Sequence, residues 1–266
     1  MKCVYSSKAW AVALAMWLGL ASGMANASSS STSYESGGPT LQLGIAGGVY
    51  DWTTQTIVSS SSSFSLYAFL YPNEKNLLSD TYFLSMAVTP QTSTEVNLGS
   101  FTYNGNAVNV TSDMTYGTPP IDAFSSSYDP GDLKPHGVFP TYFSEVGFTF
   151  DDNNKSGAFN TQDYPGLGPQ PVVPGKKVMY YNLFTIDISN LAVGYAIHFD
   201  LYNTKLCEKT KGSCAGTADT DITQFAPFSH DAQSMTMVPE PEAYAMLLTG
   251  LFLLGFTARR RKTYIT

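Results

Sequence analysis

Arginine is almost missing from this 266-residue chain: there are three, adjacent to one another at Arg259, Arg260 and Arg261. Six of the 14 basic residues lie near the two ends (Lys2, Lys8, the three arginines and Lys262). Residues 28–238 therefore keep eight, all lysine, against 19 of the 21 acids. Nucleic-acid binding needs a clustered basic footprint, and the interior has none, so that class of partner is excluded. The acidic surplus suits solubility and divalent cations without specifying a partner. Cysteine is scarce too, at Cys3, Cys207 and Cys214 only, and histidine occurs at His136, His198 and His230. No long helical pattern runs through the interior. Aromatic residues, by contrast, make up 14% of the chain. That is enough to fill a core, which argues against a disordered stalk.

Long apolar runs are confined to the two ends. Lys2 and Lys8 precede an apolar stretch over residues 9–20, followed by Ala25-Asn26-Ala27. That order is a charged region, an apolar region and a small-residue cleavage site, so a secretory signal peptide is expected over 1–27, cut after Ala27. The stretch is too short to span a bilayer, which takes about 20 apolar residues. Cys3 precedes the apolar region, the wrong place for a lipid-attachment cysteine. At the other end Val238-Pro239-Glu240-Pro241 interrupts the chain, because proline fixes φ and lacks an N–H. Residues 243–258 are apolar, and Arg259-Arg260-Arg261-Lys262 stops them. A helix over 243–258 is about 24 Å long against a hydrocarbon core of about 30 Å. Tyr244 at the interface and snorkelling arginines absorb the difference. A transmembrane helix with its basic end in the cytoplasm is the expectation.

The tripartite tail, Val238-Pro239-Glu240-Pro241 then apolar residues then Arg259-Arg260-Arg261, resembles the PEP-CTERM sorting signal. The resemblance implies recognition by exosortase, a membrane transpeptidase-like enzyme, and cutting near Pro-Glu-Pro. It further implies passage through the inner membrane to the cell surface or extracellular matrix of a Gram-negative bacterium. It covers about a tenth of the chain.

Between the ends, residues 28–40 form a Ser-rich flexible leader, and residues 41–237 read as one all-β domain. Leu41, Leu43 and Ile45 alternate with Gln42 and Gly44. Phe64, Leu66, Ala68 and Leu70 form one face of a run whose other face carries Tyr67, Phe69 and Tyr71, so both sides are expected to be covered. Residues 82–88 and 98–103 are further strand candidates. The same alternation marks Val146, Phe148 and Phe150; Phe184, Ile186 and Ile188; and Ile197, Phe199 and Leu201. Period-2 runs without helices between them predict an antiparallel β-sandwich or jelly roll. The body also resembles a family of bacterial surface proteins called choice-of-anchor N. The residues that carry this are Gly47-Gly48-Val49-Tyr50-Asp51, the segment 135–143 (PHGVFPTYF), Phe159-Asn160-Thr161-Gln162-Asp163, His198-Phe199-Asp200-Leu201-Tyr202 and the segment 226–232 (APFSHDA). That likeness implies surface attachment and no particular activity, so it supplies no site residues.

Candidate chemistry is sparse. Cys207 and Cys214, in an exported chain, read as a local disulfide. Gly212-Ser213-Cys214-Ala215-Gly216 also matches a nucleophile elbow, but that motif needs a strand-to-helix turn and no helix pattern follows. Asp152, Asn154 and Ser156 have the spacing of calcium-loop positions 1, 3 and 5. Gly157 stands at the turn, Ala158 at position 7 and Asp163 at position 12. The mismatches are Asp in place of the bidentate Glu and flanks that do not read as helices. If the loop binds calcium, the ion raises the melting temperature and Asp152→Ala abolishes the rise. Otherwise it is a polar loop of Asx turns. No cofactor is required by anything else in the chain. His198 and Asp200 are expected on one strand face, and a three-histidine metal site or a His/Asp pair is the further metal or catalytic option. Trp52, Tyr142 and Tyr164 are candidates for stacking on sugar rings, with core packing as the alternative. The expected function is a non-enzymatic surface or matrix protein, used in adhesion or exopolysaccharide association. The alternatives are a carbohydrate-binding or calcium-stabilised module and, third, a hydrolase of matrix polymers.

Overall fold

The computed structural model describes residues 38–121, 133, 136–207, 219–236 and 248–254, without the side chains of 205–207 and 219–221. Within them the chain is mostly β, in two sheets, with helical residues only at the 3-10 turn Phe228–His230 and over 248–254. The first sheet runs β1 (Leu41–Ile45), β4 (Ser63–Leu70), β11 (Val178–Asp187), β6 (Ser100–Tyr103) and β7 (Asn106–Asn109), with β10 (Lys155–Gly157) attached to β11. The second runs β2 (Val49–Asp51), β3 (Thr56–Val58), β14 (Ala232–Gln233), β12 (Ala196–Cys207), β5 (Tyr82–Thr89), β9 (Thr141–Phe148) and β8 (Thr115–Gly117). In it, β13 (Asp219–Phe225) also pairs with β12.

The alternation read from the sequence decides which side chains meet. Leu41, Leu43 and Ile45 of β1, the Phe64-Leu66-Ala68-Leu70 face of β4, and Phe184 and Ile186 of β11 project from the first sheet. They pack on Tyr82, Leu84, Met86 and Val88 of β5 and on Ile197, Phe199 and Leu201 of β12. This is the inter-sheet core of a β-sandwich. The opposite face of β4 is covered as well: Phe69 packs edge-on against Phe159 at 5.2 Å between ring centres, with Tyr67, Tyr71 and Tyr181 around them. Gln42 ties that cover down. Its amide nitrogen donates to Phe159 O at 3.1 Å and its amide oxygen accepts from Thr161 N at 2.9 Å.

Pairing is antiparallel throughout except where β14 runs parallel to β3. Those strands lie far apart in sequence, so no hairpin forces them antiparallel. The consequence is local and useful: the chain just before β14 is delivered to the outer face of β12, the face that does not look into the core.

Candidate metal centre

Along β12 the side chains alternate as a strand requires. Ile197, Phe199 and Leu201 enter the core, so His198, Asp200 and Tyr202 point to the other side. Covering that side are Leu133, Val138 and Phe139, together with Phe143, Phe83, Ile222 and Phe225. Two segments each add one polar group beneath this cover. His136 comes from the loop that leads into β9, its ring stacked on Phe228 at 4.4 Å and edge-on to Phe139 at 5.7 Å. Asp231 follows a single 3-10 turn, Phe228–His230. Its backbone is pinned because Asp231 O accepts from Ile57 N at 3.0 Å.

His136, His198, Asp200 and Asp231 thus converge, with one ligand atom from each lying within 4.8 Å of every other. The two imidazole Nε2 atoms are 3.2 Å apart. Asp200 Oδ1 lies 3.1 Å from the first and 3.5 Å from the second. Asp231 Oδ2 lies 3.8 Å from His198 Nε2. The His136 side chain is 8% exposed, and the other three are at 3% or less. The Nε2–Nε2 contact is a hydrogen bond whose donor depends on the tautomer, but the carboxylate contacts are close approaches only: all four carboxylate oxygens, and His198 Nδ1, are buried without a hydrogen-bond partner among the described residues.

Such an arrangement is costly as it stands. Removing a carboxylate from water costs several kcal/mol unless a partner compensates. Burial, reinforced by the Asp200 charge, drives the Asp231 carboxyl well above the usual carboxylate range. Burial pushes Asp200 the same way, but His198 and His136 outweigh it and hold that carboxyl down at about 2. One acid held ionised by the histidines beside another driven towards the neutral form is what two carboxylates sharing one buried site produce.

The third histidine is elsewhere. His230 Nδ1 is 2.9 Å from Ser229 Oγ, and its Nε2 is 2.7 Å from Asn160 Oδ1. Burial lowers its pKa to about 4 against the opposing Asp163 charge. The three-histidine option is therefore corrected to two histidines and two aspartates.

On the same outer face the Tyr202 hydroxyl donates to Glu145 Oε1, and Glu145 Oε2 accepts from Ile121 N at 2.6 Å. Burial raises the Glu145 pKa despite both bonds. A raised carboxylate stabilises the fold fully below its unfolded pKa and loses that contribution as pH rises through the folded value. Glu145→Gln, which does not titrate, should therefore gain melting temperature relative to the parent by a few degrees as pH rises above the ordinary carboxylate range of about 4. A difference that does not change with pH in thermal melts would show that Glu145 is not desolvated.

The remaining sequence candidates are dispersed. Where the calcium loop was expected, residues 155–157 form β10, with Gly157 paired to Val178. Ser156 is fully buried, and its hydroxyl accepts from Gln170 N at 2.8 Å and donates to Gly157 O at 2.9 Å. Ligation would require it to give up these partners. Asp152 is exposed and 3.3 Å from Lys155 Nζ, Asn154 N donates to Asp151 O at 3.1 Å, and Asp163 is exposed beside His230. Asp152→Ala should shift stability by no more than a surface ion pair does, below about 1 kcal/mol, with calcium or chelator present. A calcium-dependent difference in melting would restore the loop.

Tyr142 is 6% exposed and belongs to the core, whereas Trp52 is 76% and Tyr164 40% exposed. Cys207 ends β12 opposite Asp219. Its proposed disulfide partner Cys214, the cleavage-site alanines Ala25 and Ala27, and the sorting residues Val238, Pro239, Glu240, Pro241, Arg259, Arg260 and Arg261 lie outside the described residues. A cleft of about 670 Å³, lined by Lys75, Asp80, Thr81, Phe83, Asn203, Thr204 and Thr223, includes none of the four clustered residues.

His198 and Asp200 were legible as a strand-face pair. His136 entered only through the three-histidine option and Asp231 not at all as a ligand, since their approach depends on two connections whose paths no local pattern reveals. No family model matches the chain, and no curated protein or solved structure matches it.

Proposed function

We propose that this chain is an exported, non-enzymatic surface or extracellular-matrix protein, sorted by a PEP-CTERM-type tail and used in adhesion or exopolysaccharide association. A signal peptide over 1–27 starts export. The tail over 238–266 halts the chain in the inner membrane, where an exosortase-like enzyme cuts near Pro239-Glu240-Pro241. The observation that carries this reading is the helical stretch over the described residues 248–254. Leu248, Leu251, Phe252, Leu253 and Leu254 on it are all at least 56% exposed. So much contiguous exposed apolar surface has no stable place in water, and bilayer hydrocarbon is its natural solvent. Among the described residues no helix is long and apolar enough to cross a membrane. The remainder of the expected span over 243–258 lies outside them.

The non-enzymatic part is supported by the sealing of the polar cluster. A catalytic metal or His/Asp site keeps a position open to substrate, and here apolar side chains close it.

The test is fractionation of cells producing the parent chain and a variant in which Pro239, Glu240 and Pro241 are all alanine. The parent should reach the surface or medium, shortened at both ends, while the variant stays at full tail length in the inner membrane. Intact parent chain in the cytosol would overturn the proposal.

A binding-module reading is favoured by Trp52. It stands at the β2–β3 tip with its ring held edge-on to Tyr50 at 4.7 Å, fixed yet open to solvent as a sugar-stacking ring must be. Trp52→Ala should weaken retention on matrix polysaccharide about tenfold without changing the melting temperature. Unchanged retention in an affinity gel removes Trp52 from any binding surface.

A further inference from the structure

We infer that His136, His198, Asp200 and Asp231 form a closed, tetrahedral, structural site for a divalent transition-metal ion of the zinc class, which clamps two covering segments onto strand β12. The inference stands on geometry and does not depend on how the chain is sorted.

Zinc binds imidazole nitrogen and carboxylate oxygen at about 2.0–2.2 Å in a tetrahedron, which places neighbouring ligand atoms about 3.3 Å apart. Four of the six separations, 3.2, 3.1, 3.5 and 3.8 Å, scatter around that value, and the ligand atoms all lie within 4.8 Å of one another. Two Nε2 atoms facing each other this closely cannot both carry a proton, and a hydrogen bond between them would satisfy only one pair. A cation at the centre satisfies both nitrogens and one oxygen of each carboxylate together. It also places a positive charge against both buried carboxylates at once, as buried charges that are paired or bound to a metal require.

Ligand type narrows the ion. Calcium takes six to eight oxygens and magnesium an octahedron of oxygens. Two imidazoles with two carboxylates suit zinc, or cobalt(II) as its spectroscopic substitute.

Closure settles the role. Four protein ligands fill a tetrahedron and leave no place for substrate or activated water. The ion would join three parts of the chain distant in sequence: the segment leading into β9 through His136, β12 through His198 and Asp200, and the approach to β14 through Asp231. Phe228 and Phe139, packed on the His136 ring, exclude water from the bonds.

The experiment uses the full-length chain in detergent, stripped with chelator and reloaded with zinc or cobalt(II). One equivalent should bind per chain and raise the melting temperature by several degrees, and an excess of calcium should not compete. The cobalt form should show the intense visible absorption of a tetrahedral site rather than the weak bands of an octahedral one. His136 lies in a connection and not in a sheet, so His136→Ala is the variant expected to stay folded. It should lose at least a hundredfold in metal affinity and show no tetrahedral cobalt spectrum. Asp152→Ala, exposed and outside the cluster, should leave both unchanged. Failure to bind either ion, an octahedral spectrum, or equal binding by His136→Ala would each overturn the inference.

Discussion

Replacing Phe199 by alanine should remove about 3–5 kcal/mol of unfolding free energy, read as a lower denaturant midpoint at unchanged slope. Domains of this kind are stable by about 5–15 kcal/mol in total, so this is one of the largest single losses available to the protein. The ring is fully buried and reaches across the sandwich to meet Phe64 of the facing sheet edge-on, 6.1 Å between centres. Its removal therefore opens a cavity between two hydrogen-bonded sheets, neither of which can collapse into it easily. Leu183, on β11 but 42% exposed, is the control: Leu183→Ala should stay within about 0.5 kcal/mol of the parent. A loss below about 1 kcal/mol for Phe199→Ala would place that ring outside the core and contradict the assignment of faces on β12. The same assignment sends His198 and Asp200 to the buried polar cluster, so the stability of the core and the geometry of that cluster depend on one strand register. Slipping β12 by one residue would exchange the two sets.

Gly99→Ala should be comparably severe, costing about 3 kcal/mol or more. Gly99 has φ of +87°, and a Cβ there would lie 2.1 Å from Asn190 O and 3.1 Å from Ala192 N. Both obstacles are backbone. They are fixed by the hydrogen bonds from Ser100 N to Asn190 O and from Ala192 N to Leu98 O, at 3.1 and 2.7 Å. The chain entering β6 cannot accept a methyl group without breaking them. Gly105 separates this clash from left-handed strain alone, since it has φ of +79° and nothing near the position of a Cβ. Gly105→Ala should cost only about 1–2 kcal/mol. Equal losses at the two positions in chemical denaturation would show that the close approach at Gly99 is not rigid.

The fold class was legible in the chain because sheet faces repeat every two residues and the core obeys that repeat strictly. Leu41, Leu43 and Ile45 could be assigned inward from sequence, as could Ile197, Phe199 and Leu201. The double cover of β4 could be anticipated too, because Tyr67, Phe69 and Tyr71 leave that strand no polar face. Alternation does not report which strands become neighbours. The parallel β3–β14 pairing joins residues 57 and 232, and no local feature of either stretch announces the other.

The site divided along the same line. His198 and Asp200 share a strand, so period 2 brings them together. His136 and Asp231 join them only through tertiary packing: the ring stack on Phe228, and the Ile57-to-Asp231 hydrogen bond that anchors the approach to β14. The aspartate-rich segment near residue 152 had the better local pattern and the poorer geometry. Its Ser156 was taken up by a strand, and a hydroxyl turned inward to bond backbone groups is lost to any ion outside. Oxygen-bearing residues at metal-like spacing do not make a site unless the backbone also turns around a point.

Two features characterise the protein described here. The body closes over a buried cluster of two histidines and two aspartates, and the described part of the tail exposes Leu248, Leu251, Phe252, Leu253 and Leu254. Mass spectrometry under native conditions, on chain recovered from the cell surface and medium, reads the outcome of both. The mature species should begin at Ser28, end near Pro239-Glu240-Pro241, and carry the mass of one divalent transition-metal ion that disappears on denaturation. A mature chain that still ends in Arg259-Arg260-Arg261 and the residues beyond would contradict the sorting account. A correctly trimmed chain that never carries the metal, even after reloading, would contradict the clamp alone.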